Sequence, residues 1–293
     1  MSVARAPAVI GRRPRRDKVR GALFYGLLLV SVSIGFVLLG TLIVDVLRKG
    51  IGYLDPLLLT EPTSTDPDKA GAGPAILGTI YMMLILLVAV VPLGVGTAIY
   101  LEEYANRERW YNRLLELNIQ NLAAVPSIVY GILGLAFLVR GLGLGRVLLA
   151  GALILTLLVL PTVIVASREA IRAVPDSIRQ GAYALGATQW QVVARQVLPA
   201  AIPGIATGSI LALARAIGET APLLLVGALT YVAVNPTLLG SFTALPVQIY
   251  QWISRPQDEF RLLAAAAIIV LLAILLTMNA FAIWLRNRYQ KRW

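Results

Sequence analysis

Long apolar stretches set the terms on which this chain can fold. They run from Ala22 to Val44, Ala75 to Leu101, Ile119 to Val139, Val147 to Val165, Ile202 to Val234 and Leu262 to Leu285. Each is near or above the roughly 20 residues that a helix needs to cross a bilayer. Lipid offers the backbone no hydrogen-bond partner, so such runs must bond internally as helices. The expectation is an all-α polytopic membrane protein with six transmembrane helices. Composition agrees: 58% of the residues are hydrophobic and 14% charged, against about 25% charged in an ordinary globular domain.

A net charge of +11 would suggest nucleic acid in a soluble protein. Here its distribution points to topology. Arg5, Arg12, Arg13, Arg15, Arg16, Lys18 and Arg20 crowd the start. Arg107, Arg109, Arg113, Arg168, Arg172, Arg179, Arg195, Arg286, Arg288, Lys291 and Arg292 fall in alternate connections on the same side. The other side holds only Arg48, Lys49, Lys69, Arg140, Arg146, Arg255 and Arg261, with Arg215 inside a span. The positive-inside rule then predicts both termini in the cytoplasm. The first apolar run is too long for a signal peptide and lacks a small-x-small cleavage pattern, so it reads as a retained span.

The chain contains neither cysteine nor histidine. That excludes disulfides, thiolate nucleophiles, histidine general bases and the usual zinc ligand sets. No G-x-x-x-x-G-K-[ST] sequence occurs, so there is no P-loop to cradle ATP phosphates. Any ATP-driven action needs an engine on another polypeptide.

Between the first two spans, the segment from Arg48 to Pro74 is rich in Asp, Pro, Thr and Gly. It is expected to be an extracytoplasmic loop with little fold of its own. Glu102 to Glu116 mixes both charges with Tyr104, Trp110 and Tyr111 and reads as a solvated linker with interfacial aromatics. Pro92, Gly94, Gly96, Pro126, Gly131 and Gly134 allow kinks or close helix approach. Thr237 to Gln251 is too polar for a further span, with Phe242, Leu245, Ile249 and Trp252 placed against the membrane surface or a re-entrant cavity.

Arg215 and Glu219 interrupt the fifth apolar run. A charge near the bilayer centre costs about 3 kcal/mol on insertion scales, so it usually faces a protein interior or a water-filled pathway. Their spacing places both on one helical face. If Pro203 marks the interface, Arg215 lies about 18 Å deeper, near mid-depth of a core about 30 Å thick. The arginine fork suits an oxyanion such as phosphate, and the carboxylate can hold the fork in place. A structural ion pair locking two helices is the alternative. Pro222, three residues on, predicts a bend that can act as a hinge.

The connection Ser167 to Pro199 carries the second signal. Val174, Ile178, Ala182 and Leu185 share one helical face, Gly186 interrupts the pattern, and Thr188-Gln189-Trp190-Gln191 has the form of a capping box. Two short helices meeting at a glycine are predicted. With Ala182, Tyr183 and Trp190 available, they suit a groove on a soluble partner or the lipid surface.

Gly181 to Thr188 (GAYALGAT), followed by Val197-Leu198-Pro199, resembles the cytoplasmic coupling loop of bacterial ABC importer permeases, with Gly186, Leu198 and Pro199 in register. Gln180, Gly181 and Gln196 depart from the commonest letters of that loop but fit its phosphate branch. Ala212 to Pro222 (ALARAIGETAP) and Val125 to Gly131 (VPSIVYG) are similar to the PstA family of phosphate transport permeases.

The resemblance implies a type I ABC importer permease fold. It also implies a function: half of a phosphate pathway, coupled to a separate ATPase and catalysing no reaction itself. Partners would be a homologous permease, PstC, two copies of the ATPase PstB, and the phosphate-binding protein PstS, in the bacterial inner membrane. No cofactor would bind this chain; ATP and Mg would sit on the ATPase. Arg215 and Glu219 would serve the substrate pathway, and Pro222 a hinge. Ala182, Tyr183, Gly186, Ala187, Thr188, Leu198 and Pro199 would couple to the ATPase.

The chain would divide into a basic segment (1–21), a first helix with its outer loop (22–74), a permease domain (75–285) containing the coupling loop (167–199), and a basic tail (286–293). A permease for sulfate, molybdate or phosphonate and a passive anion channel are alternatives. A membrane enzyme is disfavoured because no acid/base or metal set accompanies the lone pair.

Overall fold

The computed structural model describes residues 15–106, 108–228 and 234–289, with side chains from Arg20 onward. Most of the expected basic segment 1–21, residues 290–293 of the tail, Arg107, and residues 229–233 of the expected fifth span lie outside the described residues. Among the described residues the chain is helical, with no strand. In order come α1 (Arg15–Gly50), α2 (Pro56–Thr60), α3 (Gly73–Ile99), α4 (Trp110–Ala123), α5 (Ser127–Gly134) and α6 (Leu148–Arg172). They are followed by α7 (Asp176–Ala184), α8 (Gln189–Val192), α9 (Leu198–Ala216), α10 (Ala221–Val226), α11 (Leu245–Ile253) and α12 (Asp258–Tyr289).

Five of these elements are long and apolar enough to cross a membrane. A sixth is found only by counting α4 and α5 together, and these meet at 106°. The expected span over Ile119 to Val139 is therefore broken, at one of the residues expected to allow a kink. Pro126 explains the position of the break, because its ring disfavours helical geometry at Val125 and it has no N–H to continue the ladder.

Two compact units divide the chain, Met1–Arg48 and Lys49–Trp293. In the first, α1 is one long helix whose apolar side chains between Leu23 and Val44 are exposed. That state is costly in water and natural in lipid, whose tails are as apolar as leucine.

In the second unit α6 is the central helix. Small residues let its neighbours approach closely. A Cβ on Gly94 of α3 would lie 2.7 Å from a Val163 methyl, and Cβ atoms on Gly204 and Gly208 of α9 would meet Ala170 and Ala166. The G-x-x-x-G spacing of Gly204 and Gly208 thus faces an A-x-x-x-A stripe on α6. Met82, Leu86 and Val90 of α3, Leu155 and Val159 of α6, and Leu213 of α9 fill the central core.

The segment between α1 and α3 differs from its expectation. Asp55 Oδ1 accepts from the Leu58 N–H at 2.8 Å and starts α2. Leu58 is fully buried, in one core with Leu245, Trp252 and Phe260, and Thr63 Oγ1 donates to Gln248 Oε1 at 2.9 Å. The loop folds because α11 supplies an apolar wall. Leu245, Ile249 and Trp252 are buried in that same core, and Phe242 is buried in the central core against Gly151; none of the four lies on the surface.

Candidate functional site

Arg215 and Glu219 do not share a continuous helix. α9 ends at Ala216, where the ladder tightens: the Gly218 N–H bonds to the Arg215 carbonyl at 3.2 Å and the Glu219 N–H to the Ala216 carbonyl at 3.2 Å. Pro222 is in the first turn of α10, where a missing N–H costs nothing. It begins a helix instead of bending one, and the break lies before it, at Ile217 to Thr220. Glu219 nevertheless folds back, with Oε1 3.5 Å from Arg215 Nε. An arginine in the last turn also suits the negative end of α9.

The pair is open. Leu213, Ala212 and Ala216 turn into the core, whereas the Arg215 side chain is 67% exposed and that of Glu219 16% exposed. A single contact of 3.5 Å is longer than a charge-assisted hydrogen bond of about 2.7–2.9 Å. Among the described residues it is the only ion pair of Arg215. Most of the guanidinium's donors stay available in a direction away from the protein's own core. Next to this pair α10 crosses α5, so closely that a Cβ on Gly131 would lie 2.8 Å from Pro222 Cα. The VPSIVYG and ALARAIGETAP segments are therefore packed on each other.

The connection after α6 forms the two short helices predicted, α7 and α8. Gly186 between them has φ +81°, a conformation that costs an L-residue about 1–2 kcal/mol. The capping box is complete: Thr188 Oγ1 accepts from the Gln191 N–H at 3.4 Å, and Gln191 Oε1 accepts from the Thr188 N–H at 2.9 Å. Ala182 and Ala187 pack inward against the cluster of Val174, Val192 and Val197. Tyr183, Leu185 and Trp190 are exposed, Leu185 at 90%. Leu198 and Pro199 lie away from this tip, on an apolar groove with Leu87, Val91 and Ile202. Tyr183, Leu185 and Trp190 thus put three exposed large apolar side chains on one polar loop, which suits an interaction site.

Sequence reasoning missed what holds this loop. Glu102 and Glu103, expected in a solvated linker, are buried, at the end of a π-helical turn that extends α3 through Tyr104. Arg168, on the last turns of α6, donates from Nε to Glu102 Oε1 at 2.8 Å and from Nη2 to Glu116 Oε1 at 2.7 Å. Its side chain is 8% exposed. Arg172 adds a contact of 2.7 Å to Glu102. Arg179 of α7 reaches Glu103 Oε1 from Nη2 at 2.8 Å and also donates to the carbonyls of Val174, at 2.6 Å, and Ile171, at 3.0 Å. It thereby ties down the chain as it leaves α6, where the Ile171 carbonyl also accepts from the Val174 N–H at 3.2 Å. Gln189 of α8 donates to the Glu103 carbonyl. The available signal was charge complementarity at helix ends: two adjacent acids closing one span, and arginines closing another.

A family model for the binding-protein-dependent transport system inner membrane component matches residues 90–292. This chain is a member of that family. Relatives of similar length include the phosphate transport system permease protein PstA 1 of Mycobacterium tuberculosis (strain H37Rv), 35% identical over 74% of this chain and 70% of the relative. The phosphate transport system permease protein PstA of Yersinia pestis is 34% identical over 92% of this chain and 90% of its own length. Among solved structures, a chain of the bacterial alginate ABC transporter in complex with an alginate-bound periplasmic protein superposes with a TM-score of 0.67, covering 96% of this chain and 99% of that one. At 17% identity that likeness establishes the fold: this family member is an all-α, multi-pass membrane protein built as an ABC transporter permease.

Proposed function

We propose that the chain is the transmembrane permease subunit of an ATP-driven phosphate importer and forms half of the translocation pathway. The observation that carries this reading is Arg215, a guanidinium at a break in an apolar span, open on one side and, among the described residues, ion-paired only with Glu219. A dehydrated phosphate needs transient compensation of its charge, and a planar fork of donors supplies it. Glu219 keeps the fork aimed and limits how tightly the anion is held, since conduction requires release as well as entry. The PstA relatives support phosphate as the cargo.

On this reading the chain pairs with a homologous permease, PstC, over two copies of the ATPase PstB, and receives phosphate from PstS. It binds no cofactor, and ATP and Mg act on PstB. The loop with Tyr183, Leu185 and Trp190 docks on the ATPase, with Ala182, Gly186, Ala187 and Thr188 setting its shape and Leu198 and Pro199 joining it to α9. Pro222 and the break before it let α10 move relative to α9. Both termini and the loop face the cytoplasm of a bacterium whose inner membrane holds the complex.

The decisive experiment purifies the tagged chain with its co-expressed partners, reconstitutes the complex in proteoliposomes and measures labelled phosphate uptake against competing sulfate and molybdate. Uptake that requires ATP and resists both competitors is expected. Uptake without an ATPase, or preferred transport of sulfate or molybdate, overturns the assignment.

A further inference from the structure

The loop has two covalent ties to the spans, one at each end. Upstream, α6 gives way to a short turn at Ala173 to Pro175 before α7. Downstream, α8 reaches α9 through the π-helical turn Val193–Val197, whose wider geometry departs from the regular ladder. The downstream tie is one continuous helix from Gln189 to Ala216, so α7 is the part of the loop with only a turn behind it.

Beside them stands a third, non-covalent tie. Glu103 is held by both loop helices at once, its carboxylate by Arg179 of α7 and its carbonyl by Gln189 of α8. The Glu103 and Arg179 side chains are largely buried. Arg179 is fixed at its other edge by the Ile171 and Val174 carbonyls and by Asp176 Oδ1 at 3.2 Å. One guanidinium therefore joins α7, the end of α6 and the end of α3. Behind it, Arg168 joins α6 to Glu102 of the same turn and to Glu116 of α4. α4 leads through Pro126 into α5, which packs on α10 beside Arg215.

We infer that Arg179 and Glu103, with Gln189, form a clasp that makes the loop and the end of α3 a single rigid body, so that force applied to the loop reaches α3 directly and α4 through Arg168. Arg179 and Glu103 are positioning residues in this scheme; neither meets the cargo. The inference rests on the reading of the loop as the ATPase-docking element. With only the turn Ala173 to Pro175 behind it, α7 could rock when the ATPase moves and lose part of the displacement before it reaches the spans. With the clasp closed, the same displacement carries α3 along its whole packed length against α6.

The test uses the complete complex, with cysteine-free partners, in nanodiscs. The chain has no cysteine of its own, so spin labels go only to Ser177→Cys on α7 and Leu93→Cys on α3, both exposed positions. With the clasp intact, the distance between the labels is expected to be the same in the nucleotide-free and vanadate-trapped states. In Arg179→Gln it should shift and broaden on trapping, and uptake per ATP hydrolysed should fall about tenfold, within the range by which network substitutions change coupling. Gln189→Ala removes one neutral hydrogen bond and no charge. It should broaden the distance in the same direction by less, and it carries the test if Arg179→Gln fails to assemble.

An intact chain whose label distance changes between the two states as much as in the variants overturns the clasp. So do variants with unchanged uptake per ATP. A wild-type complex that moves no phosphate would overturn the cargo assignment alone, because the distance comparison needs only nucleotide and still decides the clasp.

Discussion

Arg168 and Arg215 are the same residue type in the same kind of apolar helix, yet their surroundings are opposite. Arg168 is sealed, and two carboxylates on two other elements engage it at 2.7–2.8 Å. Arg215 is open, and its one ion-pair partner among the described residues is a carboxylate four residues along, at 3.5 Å. Removing a guanidinium from water is expensive, so a buried one is retained only where fixed anions repay the desolvation. Arg168 meets that condition from within the chain. Arg215 does not need to, because its own protein leaves it uncovered, and a charge that is uncovered and barely engaged can still bind something else. Burial and partner count, rather than the presence of charge in a span, separate the arginine that builds from the arginine that acts.

That contrast breaks if stability does not follow it. Arg168→Met takes one partner from the buried Glu102, which keeps Arg172, and the ion-pair partner of the half-buried Glu116, and should destabilise the chain by about 2–3 kcal/mol, below the range for a fully stranded buried charge. The effect would be seen as a large drop in melting temperature in detergent and loss of assembled complex. Gly186→Ala should cost about 1–2 kcal/mol locally, because φ is +81° there. Hydrogen exchange confined to the loop would register it. Thr188→Ala removes one half of the capping box and should cost about 1 kcal/mol, measured the same way. Arg215→Gln should sit at the bottom of this series, at no more than about 1 kcal/mol, as for other exposed pairs. A melting temperature for Arg215→Gln as low as that for Arg168→Met would place the two arginines in one class.

Much of this was legible in the residues. Apolar run lengths located the spans of α1, α3, α6 and α12, and Gly186 with the Thr188 to Gln191 box located the two loop helices, because helix length and capping are local properties; the third run is instead broken at Pro126 and the fifth stops at Ala216. Arg215 and Glu219 were found as charges in an apolar run, but their geometry was not. Where α9 stops depends on Gly218 and on how α10 packs over α5 at Gly131, and that crossing joins residues about ninety positions apart. The clasp was invisible for the same reason. Glu102 and Glu103 look like linker charges until α6 and α7 are brought against them. The fold of the outer loop likewise depends on α11, since Thr63 finds Gln248 only in three dimensions.

The central claim is that Arg215 is left uncovered in order to meet a passing oxyanion. Labelled phosphate uptake into proteoliposomes containing the complete complex, wild type against Arg215→Gln at equal assembly, tests it most directly. Uptake should be abolished in the variant while ATPase co-purification and melting temperature stay at wild-type values. Uptake at the wild-type rate would contradict the claim and return Arg215 to a structural role.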